Sequence, residues 1–376
     1  MRILLNGMLL SELFSGVEMS IQNLARSLSV HGKEEYTICV PSDCPGKDIT
    51  GKSFHTKRVR RLLPGRPGRI VCEQMFLPGM LRNMGAHLLH APGYIAPLNI
   101  SAPVVITVYD TIAMDFPNLC KLANVLNYRL FLPLSVKRAA GIIVPSQTTR
   151  KDILKRFPEA SDRTRVIPLG VEHRFFTADN PERLQKIRSD YSLPDRFILF
   201  TGRQEPKKNL VRLVKAFHML KTAHMLPHKL VLAGRKDRHT SKIAESIRSL
   251  GLQGEVMLTG FIPQRSIADI YSLADCFVFP SLYEGFGLPP LEAMARGVPV
   301  VASNRGAAPE ITGTSAILVN PYDPSAIAEG IETALRNNVV RSRLKNSGIE
   351  HARKYSWEKA ARETEDFYRE TCGENG

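Results

Sequence analysis

The sequence contains no apolar run approaching the roughly 18 residues that a membrane-spanning helix needs, so a helical membrane bundle is not expected. Met1–Leu10 holds one arginine and an apolar stretch broken by Asn6 and Gly7, too short for the core of a secretion signal. Arg2–Leu5 reads instead as a first buried strand. The six cysteines are scattered and form no C-x-x-C pair. That spacing suits neither a disulfide framework nor a zinc cluster, and a reducing cytosol is the simplest compartment. No basic motif interleaved with aromatics is present, which argues against a nucleic-acid partner. Internal repeats and low-complexity segments are also missing. Acidic charge is short: 36 Asp and Glu stand against 51 Lys and Arg, a net charge of +15.

The 376 residues exceed one ordinary α/β domain and suit two of similar size. Residues 1–170 hold 22 Lys and Arg against 12 Asp and Glu, so +10 of the excess lies there. Much of it falls between Lys52 and Arg69, which reads either as a solvated loop or as a basic stretch that docks on anionic headgroups or substrates.

Short Val/Ile/Leu-rich runs alternate with amphipathic stretches along the whole chain. RILL, YTICV, HLLHA, PVVITVYD and GIIVPS form a first series; RFILFTG, HKLVLAG, EVMLTG, CFVFPS and VPVVAS form a second. Such runs separated by helical patterns indicate parallel sheets covered on both faces. The series break after VIPLG (Val166–Gly170), and Val171–Pro194 reads as polar and irregular. The expected architecture is α/β, with two doubly wound Rossmann-like domains facing a central cleft. Residues 1–172 form the first, 173–355 the second, and a helix over 356–372 packs back on the first. In doubly wound sheets the loops at the carboxyl ends of the strands carry ligands.

The strand-end stretch FPSLYEGFGLPPLEAMARGVPVVASN (Phe279–Asn304) is the most informative. Gly285 and Gly287 allow close backbone approach to a ligand. Pro290 suits the first turn of a short helix and Gly297 its C-terminal cap, giving a helix of about Pro290–Arg296. The start of that helix would offer amide groups and a dipole to an anion such as a diphosphate. Glu284 in the loop and Glu292 in the first turn flank it. Each also has a plainer reading, as a turn residue and as a dipole partner. A bare pair of glutamates eight apart is expected about once by chance in a chain this long, so the pair alone is weak.

The whole string SLYEGFGLPPLEAMARGVPVVASNRGAAPEI closely resembles the E-x7-E signature of glycosyltransferase family 4, retaining enzymes of GT-B fold. TGRQEPKKNL is similar to the first loop of the second domain, with Arg203 and Lys208 matching two donor-phosphate cations; a guanidinium fork and a point charge suit a diphosphate leaving group. LTGFIP resembles the segment that reads the nucleobase edge, around Ile262. RVIPLGVE resembles a domain-closing stretch, and SWEKAARET a helix that crosses back to the first domain. LFSGVEMSIQNLARSL resembles a glycine loop facing the donor phosphates, with Gly16 at the loop and Ser15 where a doubled glycine is common. VCEQMFLP and HLLHAPGYIAPL are similar to acceptor-side stretches of mannosyltransferase-like and other cell-surface polysaccharide members.

One position departs from the family. VITVYDTIAMDFP aligns with a loop that often reads T-x-H-D, and Tyr109, followed by Asp110, stands where a histidine contacts the transferred sugar. Neither His87 nor His90 is an obvious replacement.

The resemblance implies transfer of a sugar, mannose favoured, from a nucleoside-diphosphate sugar to a lipid-linked saccharide acceptor. GDP-mannose is the favoured donor, with UDP-sugars close behind. The implied donor contacts are Gly16, Arg203, Lys208, Ile262, Glu284, Gly285, Phe286, Gly287, Leu288 and Glu292; the implied catalytic set is Glu284, Arg203, Lys208, Tyr109 and Asp110. No metal or other cofactor is expected, since the two cations meet the phosphate charge. A cytoplasmic enzyme resting on the inner membrane surface fits the basic first half. The alternatives are a GT-B nucleotide-sugar epimerase, which needs no acceptor, and a non-catalytic sugar-nucleotide-binding module.

Overall fold

A computed structural model describes residues 1–10, 16–44, 49–60, 65–223 and 225–373. Backbone contacts divide the chain into two units, Met1–Gly170 with the tail from Tyr355, and Val171–Lys354. In chain order the first unit contains β1 (Arg2–Asn6), α1 (Gly16–His31), β2 (Glu35–Pro41), β3 (Phe54–Val59), α2 (Gly65–Met84), β4 (Leu88–Ala91), β5 (Val104–Thr107), α3 (Ile112–Asp115), α4 (Leu122–Arg138), β6 (Gly141–Val144), α5 (Gln147–Arg156) and β7 (Thr164–Val166). The second contains α6 (Pro181–Asp190), β8 (Phe197–Thr201), α7 (Leu210–Ala223), β9 (Lys229–Ala233), α8 (Thr240–Ser249), β10 (Val256–Gly260), α9 (Gln264–Leu273), β11 (Cys276–Phe279), α10 (Leu288–Ala295), β12 (Val300–Ser303), α11 (Ala308–Thr312), β13 (Ile317–Val319), α12 (Pro324–Arg336) and α13 (Asn338–Ala352). The tail forms α14 (Trp357–Thr371), which belongs to the first unit.

The first unit is a seven-stranded parallel sheet in the order β3-β2-β1-β4-β5-β6-β7. Its inner strands β1, β4, β5 and β6 are mainly apolar because both faces are covered. Successive residues alternate between two cores, as a period of two requires. Ile3, Leu5, Leu88, Val105 and Ile143 pack with α1 and α14 on one face. Leu4, Leu89, Ile106 and Ile142 pack with Leu81 of α2 and Leu132 and Val136 of α4 on the other.

Helix α14 starts where the Ser356 hydroxyl accepts from the Lys359 amide. Its buried Glu365 accepts from the backbone amides of Lys33 and Glu34 (2.6 and 3.1 Å) and from the Tyr36 hydroxyl (2.6 Å). These donors lie where α1 ends and β2 begins. One carboxylate thus serves three donors, the buried Tyr36 hydroxyl among them.

The second unit is a six-stranded parallel sheet in the order β10-β9-β8-β11-β12-β13. The chain runs outward from β8 through β9 to β10, then returns to β11 and runs the other way. The strand order therefore reverses between β8 and β11, and the ligand crevice of a doubly wound sheet opens there.

Two local expectations are corrected. Phe54–Val59 is not loop but strand β3, paired in parallel register with β2 from Tyr36↔Phe54 onward. It lies at the sheet's edge, where one side needs no partner, so polar and basic residues are tolerated and the apolar signal is weak. Residues 61–64 of the basic stretch lie outside the described residues. Likewise Val171–Pro194 is not irregular throughout: it includes α6, whose start is set by the Asn180 side chain accepting from the Arg183 amide and by Pro181 at the first helical position.

Candidate functional site

The loops after β8 and β11 meet at the point where the strand order reverses. Asn209, held in the left-handed region (φ 62°), ends the turn Pro206–Lys208 and donates through Nδ2 to the carbonyls of Pro280 (3.1 Å) and Pro321 (2.6 Å). The Leu282 amide donates to the Lys207 carbonyl at 2.8 Å. These bonds fix the two loops against each other and bring their charged side chains together. Lys208 Nζ lies 2.6 Å from Glu284 Oε1, and Lys207 Nζ lies 3.4 Å from Oε2. The Lys208 ammonium also sits 4.7 Å from the centre of the Phe279 ring, a cation–π position.

Burial by itself raises the Glu284 carboxyl. The ammonium groups of Lys207 and Lys208, the latter in contact with Oε1, outweigh it and hold the carboxyl at about 2 instead of 4.5. Glu284 is therefore a fixed anion at neutral pH. Its backbone is clamped too: the Ala307 amide donates to the Glu284 carbonyl at 3.0 Å. Gly306 (φ +60°) faces this peptide, and a Cβ there would lie 2.8 and 2.9 Å from the Glu284 oxygen and nitrogen. Only glycine serves both the backbone angle and that approach.

Helix α10 begins at Leu288, two residues earlier than the sequence suggested, because Gly287 (φ 128°) occupies the N-cap. This changes the anion site expected there. Pro289 and Pro290 fill the second and third helical positions, and neither has an N–H, so the helix start offers fewer amide donors than a general sequence would. Glu292 lies in the second turn, not the first, and so is not a dipole partner. It is buried among the α10 residues and accepts at Oε2 from the Tyr271 hydroxyl (3.0 Å). Tyr271 has one proton, so with that proton given to Glu292 it accepts from Thr201 at 2.7 Å. Burial drives the Glu292 carboxyl up to about 7; Glu172 adds to the rise, while Tyr271 and Arg174 oppose it. The two glutamates thus differ in kind, one a committed anion and the other poised near neutrality.

Arg203 follows β8 but does not join Lys208 and Glu284 in their ion pair. Its guanidinium donates to Asp237 Oδ2 at 2.8 Å, with Glu205 Oε1 at 3.7 Å. Ile262 follows β10, at the outer edge of the sheet and three strands from β11. It is buried, and beside it the Arg235 guanidinium stacks on Phe261 at 4.4 Å. Gly285 and Phe286 complete the loop between Glu284 and the Gly287 cap.

In the first unit Gly16 is the first residue of α1, while Ser15 lies outside the described residues. The Ser20 hydroxyl donates to the Gly16 carbonyl at 2.8 Å. Burial raises the Tyr109 phenol and keeps it protonated. Asp110 Oδ1 accepts from the Ile112 amide at 3.2 Å and so shapes the turn into α3. His90 is fully buried between Thr107 (2.8 Å) and Tyr368 (2.6 Å), and burial lowers it to about 3. It is a neutral part of the core. His87 accepts from the Arg2 amide through Nδ1 at 2.8 Å.

Sequence reasoning missed Lys207, Tyr271 and Asp237. The KKN triplet placed Lys207 beside Lys208 without showing which lysine faces inward. Tyr271 and Asp237 lie 21 residues before Glu292 and 34 after Arg203, and no local spacing signals either.

Residues 14–175 match the family model described as Glycosyltransferase Family 4, and residues 184–351 match that described as Glycosyl transferases group 1. The serotype-specific mannosyltransferase WbdA of Escherichia coli is 35% identical over 228 residues, 60% of this chain and 28% of that protein. The chain thus spans little more than a quarter of that relative. The O-antigen chain mannosyltransferase B of Escherichia coli is 27% identical over 289 residues, 77% of this chain and 76% of that protein. Among solved structures, sucrose-phosphate synthase from Thermosynechococcus elongatus aligns over 100% of both chains with a TM-score of 0.79 at 21% identity, a likeness of fold.

Proposed function

This chain belongs to glycosyltransferase family 4, and on that premise we propose that it is a retaining transferase moving mannose from GDP-mannose to a lipid-linked saccharide in cell-surface polysaccharide synthesis. The observation that carries the reading is Glu284, a mostly enclosed carboxylate kept ionised by two lysines where the strand order reverses. The two mannosyltransferases among its relatives favour mannose over other hexoses as the transferred sugar.

In this reading the donor diphosphate lies against Lys208 and Arg203, and the Gly285–Leu288 backbone approaches sugar and phosphate. Glu284 orients the sugar hydroxyls and Glu292 accepts from the ribose. The bond from the anomeric carbon to the diphosphate breaks, and the electron pair leaves with the phosphate. The acceptor hydroxyl attacks the same face, and its proton passes to the departing phosphate oxygen. Charge grows on that oxygen, and the fixed cations stabilise it more in the transition state than in the ground state. Tyr109, at the position where the family resemblance implies a histidine, stays protonated and offers the sugar a neutral hydroxyl.

The test is transfer of labelled mannose from GDP-mannose to extracted lipid-linked saccharide, alongside thermal shifts with GDP, UDP and ADP and their sugars, since bound ligand raises apparent stability. Selective stabilisation by GDP species together with label in the acceptor is expected. Stabilisation by UDP species alone overturns the donor, and epimerised sugar without transfer overturns the reaction.

A further inference from the structure

Helix α4 carries Leu122, Leu126, Leu130 and Leu134, which are 72, 57, 58 and 41% exposed. They recur every fourth residue. Each step of four turns a helix by about 40°, so the leucines form one shallow stripe about 18 Å long. The buried face of the same helix is separate: Val125, Leu132 and Val136 enter the core. A helix that is apolar on both faces needs a second apolar neighbour. Among the described residues of the first unit, every other exposed large apolar side chain except Val30 lies on α2, in the loop from 92 to 100, or at Phe116 just before α4. Hydrogen bonds tie those segments together: Gln74 of α2 donates to the Ala96 carbonyl and accepts from the Leu98 amide, and the Ala96 amide donates to Ser135 of α4. The exposed apolar groups of α2, the 92–100 loop and α4 are therefore joined by direct hydrogen bonds.

The charge around the stripe identifies what covers it. No acidic residue occurs between Asp115 and Asp152, a stretch that includes all of α4. Lys121, Arg129 and Lys137 are exposed on or beside the helix. From residue 49 to residue 109 the only acid is Glu73, which is buried against Arg69 and Asn6. An apolar stripe flanked by cations, on a helix with no acidic residue of its own, matches an anionic bilayer surface, where leucines enter the acyl boundary and Lys and Arg reach the headgroups. A second copy of this chain is disfavoured, because a two-fold contact would set the same cations against each other. We infer that α4 lies in the plane of an anionic lipid surface and docks the first unit there through Leu122, Leu126, Leu130 and Leu134. This assigns the contact to α4, not to the Lys52–Arg69 stretch, and it does not depend on which sugar is transferred.

The experiment is co-sedimentation of the whole chain with phosphatidylcholine vesicles, with and without phosphatidylglycerol, at low and high salt. Strong binding to the anionic vesicles, weakened by salt, is expected. Leu126→Gln with Leu130→Gln should raise the lipid needed for half-binding by about tenfold or more. Arg129→Gln with Lys137→Gln should remove the preference for phosphatidylglycerol. Both variants change exposed residues, and unchanged melting temperatures and GDP-induced thermal shifts would establish that the fold and the second unit are intact. Absence of binding to anionic vesicles overturns the inference, as does binding that both double variants leave unchanged. Sedimentation velocity supplies the remaining arm: a dimer that the leucine variant converts to monomer assigns the stripe to a second copy instead.

Discussion

Replacing Glu284 with glutamine removes one charge and keeps the side chain's shape. The carboxyl stands at about 2 instead of 4.5. At about 1.4 kcal/mol for each tenfold, that displacement corresponds to about 3 kcal/mol favouring the ionised form, net of burial. The group is mostly enclosed, so solvent screening removes little of this. Two effects follow. The variant loses up to about 3 kcal/mol of stability at pH 7. Because the folded value is depressed, this stabilisation is complete above the unfolded value and is lost as pH falls from about 4.5 through about 2. The wild type therefore weakens across that window more than the variant does. The second effect is on ligands. Lys207 and Lys208 no longer have Glu284 as a counter-charge, so free GDP should bind about tenfold tighter while transfer falls by about a hundredfold or more. Urea titrations at several pH values give the first quantity, and calorimetry with a transfer assay gives the second. A variant as stable as wild type at pH 7, with unchanged GDP affinity, refutes the ion-pair reasoning.

Glu292→Gln has the opposite sign. Its carboxyl is raised to about 7, so the wild type loses up to about 3 kcal/mol as pH rises from about 4.5 through 7. The variant should be the more stable protein at pH 8 and show a flatter profile; equal urea midpoints at pH 5 and pH 8 in the wild type contradict this. Gly306→Ala forces a Cβ to within 2.8 Å of the Glu284 carbonyl at positive φ. It should cost about 1–3 kcal/mol in urea unfolding and reduce transfer as well, because the strain falls on Glu284. Lys208→Ala should lower kcat/KM for the donor by about a hundredfold, with activity in EDTA unchanged for wild type. Steady-state kinetics check both, and full activity of Lys208→Ala removes that lysine from the mechanism.

Much of this molecule was legible because its signals are local. The apolar strands, the helix over the tail and the glycine loop before α10 depend on neighbours in sequence. The edge strand β3 was not legible, since an edge needs little apolar content. Helix α6 was hidden in a polar stretch although its Asn180-Pro181 start was visible. The start of α10 was misjudged by two residues because the cap glycine, not the proline, sets it.

The sequence by itself determined which groups are available: two glutamates eight apart, adjacent lysines, a glycine loop, an excess of cations and a leucine at every fourth position of α4. Tertiary structure alone decided their chemical states. Glu284 and Glu292 are the same side chain in one segment, yet one is held near 2 and the other near 7. The difference arises because Lys207 and Lys208 reach Glu284 from the loop after β8, whereas Glu292 meets a neutral tyrosine and the charge of Glu172. Charge interactions depend on distance through space, and residues 77 and 76 positions apart in sequence become neighbours only when β8 and β11 lie side by side.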